Sequence, residues 1–305
     1  MSLANVAWMD LMRKAADVGV LVPAFNAAHL PMVEPIIATL TELNTFGLVE
    51  VARPDIEKFG AQSFAAVAAE YKALANREVS RLHLDHVPVI DEDGEAVDWK
   101  AMIAEALELG YDSVMIDGSR LSLDENIACT KAVADMAHPS NVPVEAELGA
   151  VLGHEAGPLP PYEELFASGQ GFTDPAEAER FVDESECDWL SVAIGNIHGA
   201  VSEAGRDQDK VQARLNVEHL KVLREATGVP MVLHGGSGIQ AEYLREAAQN
   251  GISKINVGTE IRQAFERTLG ETDSVAKAQE AVGESITKLC TETYRIVGSS
   301  GKLVG

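Results

Sequence analysis

The feature that most restricts the fold of this chain is a regular alternation of short apolar runs and longer helical segments. Alternation of this kind is typical of parallel βα units, and eight such units predict a closed (β/α)8 TIM barrel in a single domain, 1–305. The predicted strands are VLVPAFNA from Val20, GLVEVA from Gly47, SRLHLDH from Ser80, DSVMIDGS from Asp112, VPVEAELG from Val142, DWLSVAIG from Asp188, VPMVLHGG from Val229 and ISKINVG from Ile252.

The segments between the strands favour helices. Clear examples are LDENIACTKAVADMAH from Leu123, NVEHLKVLREATG from Asn216 and QAEYLREAAQNG from Gln240, of which the last two end in a glycine suited to the position after a helix. One connection is much longer than the others, and its Gly and Pro residues predict an active-site loop at about 150–174. A further helix at about 273–297 is expected to pack outside the barrel or against a second subunit.

Composition limits the class of protein and of partner. With 305 residues, 46% of them hydrophobic, the chain can build one large core. Its net charge of -24 repels phosphate backbones and anionic membranes, so nucleic acid and membrane partners are not expected. Three cysteines without paired spacing favour a reducing compartment, and no apolar run is long enough to span a bilayer, so we expect a cytoplasmic protein.

The strand ends carry an unusual set of polar residues. In a TIM barrel these side chains meet at one rim, where active sites form. His86, His198 and His234 follow three different strands, and three imidazoles with one open position are typical of a catalytic zinc site. Co2+, Mn2+ or Fe2+ could take the same ligands. Any one of these histidines alone would more readily be explained as a structural residue.

The motif His83-Leu84-Asp85-His86 raises a question of geometry. Strand alternation places His83 and Asp85 on one face and His86 on the other, unless the chain bends at the end of the strand. We therefore expect a packing or supporting role for His83 and leave it out of the ligand set. Asp85 could either orient an imidazole or transfer a proton.

Two glycine-rich turns predict a phosphate site. Gly235, Gly236 and Ser237 follow the seventh strand, and Gly258-Thr259 follows the eighth. Backbone N–H groups in such turns can bind an anion, and the loops after strands seven and eight commonly hold phosphate in TIM barrels. A plain tight turn is the alternative for the first of them.

Together these motifs resemble the class II, metal-dependent ketose-bisphosphate aldolases, the family of fructose-bisphosphate and tagatose-bisphosphate aldolases. The resemblance extends from about Val20 to about Phe265, with the motifs in the family's order. They are VPAFNA, HLDH, GYDSVMIDGS, VEAELG, VAIGNIHG, VLHGGSG and ISKINVGTE.

The resemblance implies roles for individual residues. It makes His86, His198 and His234 the zinc ligands, with Glu147 as a carboxylate near the metal. Asp85 would exchange a proton with the C4 oxygen of the substrate. Glu155, in the long loop, would move the proton of the three-carbon fragment, and Asn256 would hydrogen-bond the enediolate. The phosphate on the ketone side would bind at Asn26, Gly199, Gly235, Gly236, Ser237, Gly258 and Thr259, where a monovalent cation, K+ or Na+, also often sits.

The implied reaction is the reversible cleavage of a ketose 1,6-bisphosphate, fructose 1,6-bisphosphate first, to dihydroxyacetone phosphate and glyceraldehyde 3-phosphate. Such an aldehyde-lyase would act in glycolysis. Zinc would act as a Lewis acid for the charge left on the three-carbon fragment. The resemblance also implies a homodimer or a homotetramer.

Two departures from the family's pattern lie at the rim and concern the substrate: the end of the second strand, and the continuation of the third strand as VPVIDEDGEAVDW. Ala52 stands where relatives carry a serine that helps to hold phosphate, and Arg53 follows it. We hypothesise that Arg53 binds an anionic group of the substrate. Tagatose 1,6-bisphosphate or another ketose phosphate is therefore an alternative substrate. A metal-dependent barrel hydrolase and a non-catalytic sugar-phosphate binder are more distant alternatives.

Overall fold

The strands close into the predicted barrel. The computed structural model describes residues 2–149, 161–196, 213–236 and 239–304. Its strands pair in parallel in the order β1 to β8, and β8 pairs with β1. Seven of the predicted strand segments contain the observed strand, and β3 continues beyond its predicted end at His86 to Pro88. The strands are β1 Val22–Asn26, β2 Gly47–Ala52, β3 Ser80–Pro88, β4 Ser113–Asp117, β5 Val144–Leu148, β6 Trp189–Val192, β7 Met231–Leu233 and β8 Ile252–Val257.

Helices surround the barrel and pack on the outward faces of its strands. Within the described ranges, every helix is too short or too polar to cross a lipid bilayer. The helices are α1 Trp8–Asp17, α2 Val33–Glu42, α3 Arg53–Glu57, α4 Phe64–Leu74, α5 Trp99–Glu108, α6 Leu123–Ala137, α7 Tyr162–Ser168, α8 Pro175–Ser185, α9 Val217–Thr227, α10 Ala241–Gln249, α11 Thr259–Thr272, α12 Val275–Lys288 and α13 Ser299–Val304.

A glycine is predicted to end both α9 and α10, and it does so in α9 only. Gly228 ends α9 in the left-handed conformation, at φ 65°. Helix α10 instead ends before Asn250, whose side-chain amide donates to the carbonyl oxygen of Glu246 at 2.7 Å. Gly251 then turns the chain into β8 at φ 123°. The glycine at this end therefore serves the turn into the strand rather than the helix cap.

The long connection after β5 is partly helical. Residues 150–160 of the predicted loop lie outside the described part of the chain, and α7 occupies residues within 161–174. Tyr162 begins α7. Its hydroxyl lies within hydrogen-bond distance of the backbone carbonyl oxygens of Gly195 and Arg214, at 3.0 and 2.9 Å. This contact ties the end of the loop to the segments after β6. Helix α12 covers most of the predicted C-terminal helix and packs against α2 and α11.

The barrel interior changes character from one end to the other. At the amino end, Val22, Leu48 and Trp189 pack with Trp8 of α1 in one buried apolar group. The Trp8 and Trp189 rings meet edge to face at 5.1 Å, so α1 closes this end of the barrel. One layer further along the strands, the inward positions are mostly polar or charged, and they lead to the carboxyl ends where TIM-barrel sites form.

Candidate active site

Three predicted site residues meet at the carboxyl end of the barrel. Ligand atoms of Asp85, His86 and His234 all lie within 4.8 Å of one another. The rings of His86 and His234 are 4.4 Å apart, centroid to centroid. Asp85 and His234 are buried, whereas the His86 side chain is 28% exposed and faces the opening. This arrangement offers nitrogen and oxygen donors to one ion from two strands.

A bulge at the end of β3 brings Asp85 and His86 to the same site. The register with β4 shifts between Leu84 and Val87, which pair with Val114 and Ile116. His86 has φ 36°, in the left-handed region that histidine enters more readily than most residues. The bend that simple alternation left open is therefore present, and two consecutive side chains reach one pocket.

His234 is held between two carboxylates of β5. Its Nδ1 lies 2.8 Å from Oε2 of Glu147, and its Nε2 lies 3.0 Å from Oε1 of Glu145. Burial disfavours a charged imidazole, but the two hydrogen bonds outweigh that effect and raise the pKa of His234. Ser191 Oγ lies 3.3 Å from Oε2 of Glu147 and helps to fix this carboxylate. The ring orientation of His234 is thus set from both sides.

His86 lies in a strongly negative environment. Its Nδ1 is 3.5 Å from Oδ2 of Asp117, at the end of β4, and its ligand atoms group with those of Asp117 and Glu147 as well. Burial disfavours a charged ring here too, yet Asp85 and Asp117 raise the pKa of His86 to about 10. The field that favours a proton on this ring would equally favour a divalent cation beside it.

Two amides hold the Asp85 carboxylate. Asn256 Nδ2 donates to Oδ1 of Asp85 at 2.8 Å, and Asn26 Nδ2 donates to Oδ2 at 3.3 Å. Burial works against ionisation, but the positive charges of His86 and Lys254 dominate and keep the pKa of Asp85 well below its usual range. Asp85 is therefore a fixed, ionised carboxylate at neutral pH.

His83 faces the barrel interior beneath this site. It is fully buried, and its Nδ1 lies 2.8 Å from Oγ of Ser113. Burial, together with the charge of Lys254, lowers the pKa of His83 to about 3, so the ring is neutral. These contacts agree with the packing role expected for His83, since its side chain lies inside the barrel, on the side of the pocket away from the opening.

The glycine-rich turns lie beside the site. Gly235 has φ 67°, and a Cβ at Gly236 would come within 2.6 Å of Ile255 Cδ1. A Cβ at Gly258 would come within 3.0 Å of Asn26 Oδ1, so a side chain there would press on this amide. Thr259 begins α11, and no side-chain cap is described for the N–H groups of its first turn. These donors are therefore open to an anion.

The other predicted site residues divide into two groups. Arg53 begins α3, with its Nε 2.6 Å from Oε1 of Glu57 and its guanidinium 3.2 Å from Oδ2 of Asp91, and so it pairs with carboxylates of the rim. Ala52 offers no side-chain donor, and its backbone N–H bonds to Asp55. The second group lies outside the described residues and comprises Glu155, His198, Gly199 and Ser237.

Sequence reasoning missed several charged groups of the site. Asp117 ends β4 and could have been found with the same rule that found Asp85, since it is a polar residue at a strand end. Glu50, Glu145 and Lys254 lie in the middle of their strands, where the signal was a charged residue inside an apolar run. Asp55 lies in the first turn of α3 and carried no signal beyond its helix-capping position.

The donor set fits a divalent metal ion. Imidazole nitrogens from two strands and carboxylates from β3, β4 and β5 come together, and nitrogen and oxygen donors of this kind suit zinc and its neighbours in the divalent series. The excess of carboxylates supplies the negative charge that such an ion requires. His86 and His234, with Glu147 or Asp117 beside them, would hold it.

Comparisons with known proteins identify the family of this chain. The family model described as "Fructose-bisphosphate aldolase class-II" matches residues 6–302. A 6-phospho-5-dehydro-2-deoxy-D-gluconate aldolase from Halalkalibacterium halodurans is 32% identical over 300 residues, covering 96% of this chain and 94% of that protein. The chain therefore belongs to the class II fructose-bisphosphate aldolase family, whose members are metal-dependent lyases.

Solved structures give the same result. The YdjI aldolase from Escherichia coli superposes with a TM-score of 0.72 at 27% identity, covering 97% of this chain and 98% of that one. A fructose-bisphosphate aldolase from Campylobacter jejuni superposes with a TM-score of 0.71 at 17% identity, covering 98% and 96%. The second likeness shows the fold alone, while the first also agrees with the family.

Proposed function

We propose that this protein is a metal-dependent aldolase that cleaves a phosphorylated ketose and releases dihydroxyacetone phosphate. One observation carries the proposal: the buried carboxyl group of Asp85, held by two amides, lies beside two imidazoles that can hold a metal ion. A proton acceptor and a metal site in this relation suit the cleavage of a C–C bond next to a carbonyl group.

The residues around Asp85 support its role as the base. In cleavage of a ketose bisphosphate, the C4 hydroxyl gives up its proton, the C3–C4 bond breaks, and the bonding electrons remain on C3 next to the C2 carbonyl. Asp85 takes the proton, because it is a carboxylate whose orientation the amides of Asn256 and Asn26 fix. The bound metal supplies a Lewis acid for the charge on the three-carbon fragment.

Asn256 completes the centre on the side of the three-carbon fragment. One N–H of its amide is used by Asp85, and the second, for which the described residues show no acceptor, can hydrogen-bond the developing enediolate oxygen. Protonation of C3 then gives dihydroxyacetone phosphate, and we assign this proton to Glu155. His198 as the third histidine ligand of the metal belongs to the same proposal, as does Glu147 as an alternate ligand.

The phosphate of the ketone side is proposed to bind at the turns after β7 and β8. Backbone N–H groups of the first turn of α11 supply donors near Asn26. A site made of backbone donors suits a chain of such negative overall charge, since the field of the whole protein does not attract the substrate. The contributing residues are Gly199, Gly235, Gly236, Ser237, Gly258 and Thr259, with K+ or Na+ as an additional partner of the phosphate.

Zinc is the metal we propose, and fructose 1,6-bisphosphate is the first substrate to test. The 32% identical relative supports a second candidate, since its name gives a keto sugar acid with one phosphate. Cleavage of that compound gives dihydroxyacetone phosphate and a carboxylate-bearing aldehyde, 3-oxopropanoate. The two candidate substrates differ in the half that becomes the aldehyde. Ala52 and Arg53 lie on the rim where we propose that this half binds.

A coupled assay for dihydroxyacetone phosphate tests the proposal. Fructose 1,6-bisphosphate, tagatose 1,6-bisphosphate and 6-phospho-5-dehydro-2-deoxy-D-gluconate are compared before chelation, after chelation and after zinc is restored. We expect release that stops with the chelator and returns with zinc, and the ratio among the three compounds identifies the substrate. Release of inorganic phosphate without any aldehyde product would instead support a hydrolase. Tight binding of a sugar phosphate without turnover would support a non-catalytic binder.

The assembly is also part of the proposal. We propose a homodimer or a homotetramer, in agreement with the resemblance, and sedimentation of the purified protein distinguishes the two. A monomer at assay concentration with full activity would contradict it.

A further inference from the structure

Lys254 is a buried cation directly beneath the site. It lies on β8 with its side chain fully buried, two residues before Asn256, so both side chains point into the barrel. Its Nζ is 2.6 Å from Oδ1 of Asn256, 3.0 Å from Oε2 of Glu145 and 3.4 Å from Oε2 of Glu50. The ammonium group thus faces oxygen atoms of three side chains on three strands.

This contact decides which way the Asn256 amide faces. An ammonium group can only donate hydrogen bonds, so Oδ1 of Asn256 must face Lys254. The NH2 group then faces Asp85 and donates to its Oδ1 at 2.8 Å. Lys254, Asn256 and Asp85 therefore form one chain of hydrogen bonds with a fixed direction.

The neighbours of Lys254 make this direction important. Glu145 lies close enough to Lys254 to accept two contacts, at 3.0 and 3.2 Å, and both oxygens of Glu50 lie buried without a hydrogen-bond partner among the described residues. Without Lys254, these carboxylates would compete for the NH2 group of Asn256. A flipped amide would turn its oxygen toward Asp85 and remove the donor from the reacting fragment.

We propose that Lys254 is a positioning residue for the reaction: it fixes the Asn256 amide so that its NH2 group serves Asp85 and the enediolate. The inference rests on the proposed aldolase function. Lys254 does not touch the substrate in this view, so its removal should lower kcat and leave KM nearly unchanged, because the phosphate turns and the metal ligands are untouched.

The first variant is Lys254→Met, which keeps the length of the side chain and removes all three donors. Because loss of one buried charge can destabilise the fold, Lys254→Met/Glu50→Gln serves as a second variant in which an opposing carboxylate is replaced as well. The matched control is Arg81→Met. Arg81 is an equally buried cation at the amino end of the barrel, bonded to backbone carbonyls.

We expect kcat to fall about 10²-fold in both Lys254 variants, the usual size of a lost hydrogen bond to a developing oxyanion, with KM within about threefold. Arg81→Met should lower the free energy of unfolding and leave kcat of the folded enzyme unchanged. Asn256→Ala should lose about as much as Lys254→Met, and Lys254→Met/Asn256→Ala should lose no more than Asn256→Ala alone, because both act through one amide. Losses that multiply, or an unchanged kcat in the folded Lys254 variants, would overturn the inference.

A second readout does not depend on turnover. In the metal-free protein, the side-chain 15N–1H signals of Asn256, identified by their absence in Asn256→Ala, should shift in Lys254→Met and stay in place in Arg81→Met. Unshifted signals overturn the proposed role of Lys254. A wild-type enzyme that releases no dihydroxyacetone phosphate from any candidate, but shows the shifts, overturns the aldolase function and with it the catalytic role, while the amide orientation stands.

Discussion

At the amino end of the barrel, the inward side chains of β1, β2 and β6 include Val22, Leu48 and Trp189, whereas further along the same strands they are Asn26, Glu50 and Ser191. The amino end is closed by α1 and packed with apolar groups. The carboxyl end holds carboxylates, imidazoles and an ammonium group, several of them fully buried. The same strands thus serve two purposes along their length.

The two ends of the barrel contribute differently to the stability of the fold and to its chemistry. Burial of apolar surface at the amino end stabilises the fold, while burial of charge at the carboxyl end costs free energy that only paired contacts offset. Substitutions at the two ends should therefore differ in effect: those at the amino end should change stability and leave kcat unchanged, whereas those at the carboxyl end should change activity where the group takes part in the reaction and stability where it is a buried charge.

The largest effect is expected for His234→Ala. The substitution removes a ring that two carboxylates hold in place at the proposed metal site. A bound metal would stabilise the transition state by several kcal/mol, and loss of that stabilisation corresponds to a fall in kcat of about 10³-fold or more. Metal content and the release of dihydroxyacetone phosphate are measured together. The control is His138→Ala at the amino side, which bonds to Asp188. Equal losses in the two variants would remove the distinction between the ends.

Asp85→Asn should follow, with a fall in kcat of about 10²–10⁴-fold, the range for a lost general base. The amide keeps the shape of the side chain but cannot accept the C4 proton. Dihydroxyacetone phosphate has no such hydroxyl, so exchange of its carbon-bound proton with solvent should persist in this variant. Asp112→Asn, at the amino end of β4, should leave both rates unchanged. Loss of the exchange reaction in Asp85→Asn would argue against the assigned role.

Trp8→Ala should show the opposite pattern. Its ring packs on Trp189 and Phe46, with ring centroids 5.1 and 5.7 Å apart. Loss of such a side chain costs about 3–5 kcal/mol of the free energy of unfolding. Denaturant unfolding measures the cost, and kcat of the folded fraction should equal that of the wild type. A lowered kcat in fully folded Trp8→Ala would show that the amino end also shapes the site.

Asp55→Asn tests the cost of buried charge at the carboxyl end. Burial raises the pKa of Asp55 to about 6, from 3.8 for the unfolded chain, so the folded state binds the proton more tightly. The contribution of Asp55 to stability is present below about pH 4 and is lost as the pH rises through 6, by about 3 kcal/mol. Asp55→Asn should lack this loss. The free energy of unfolding of Asp55→Asn minus that of the wild type should therefore increase as the pH rises from 4 to 7. A difference that stays constant over this range would contradict the raised pKa of Asp55.

The smallest effect is expected for Arg53→Met. The guanidinium is bound to Glu57 and Asp91 on the rim, and a contact with an anionic substrate would have to compete with them. We expect KM for the best substrate to rise less than about tenfold, with kcat unchanged, since partly exposed charge pairs contribute about 1 kcal/mol or less. Glu57→Gln is the control, because it removes a partner of Arg53 without removing the cation. An unchanged KM in Arg53→Met would remove Arg53 from the substrate site.

The pattern of the sequence predicts the barrel well because apolar runs and helical periods repeat eight times. The strand-end rule also finds His86, His234 and Asp85, because any polar residue at that position must face the rim. It does not reveal the bulge that turns His86 inward, since a left-handed residue leaves no mark in the alternation of side chains. Lys254 and Glu145 were missed for a different reason: whether a charge inside a strand is buried with partners depends on residues far away in the chain.

The bulge at the end of β3 has a consequence for how this site withstands change. Asp85 and His86 are neighbours in the chain, so a peptide bond fixes the distance between their Cα atoms at about 3.8 Å. Groups of the site that lie on different strands are held apart or together by packing between those strands, which shifts when a core residue is replaced. The spacing between the proposed proton acceptor and the proposed metal ligand is therefore set by covalent structure, and we expect it to change least when the rest of the barrel is altered.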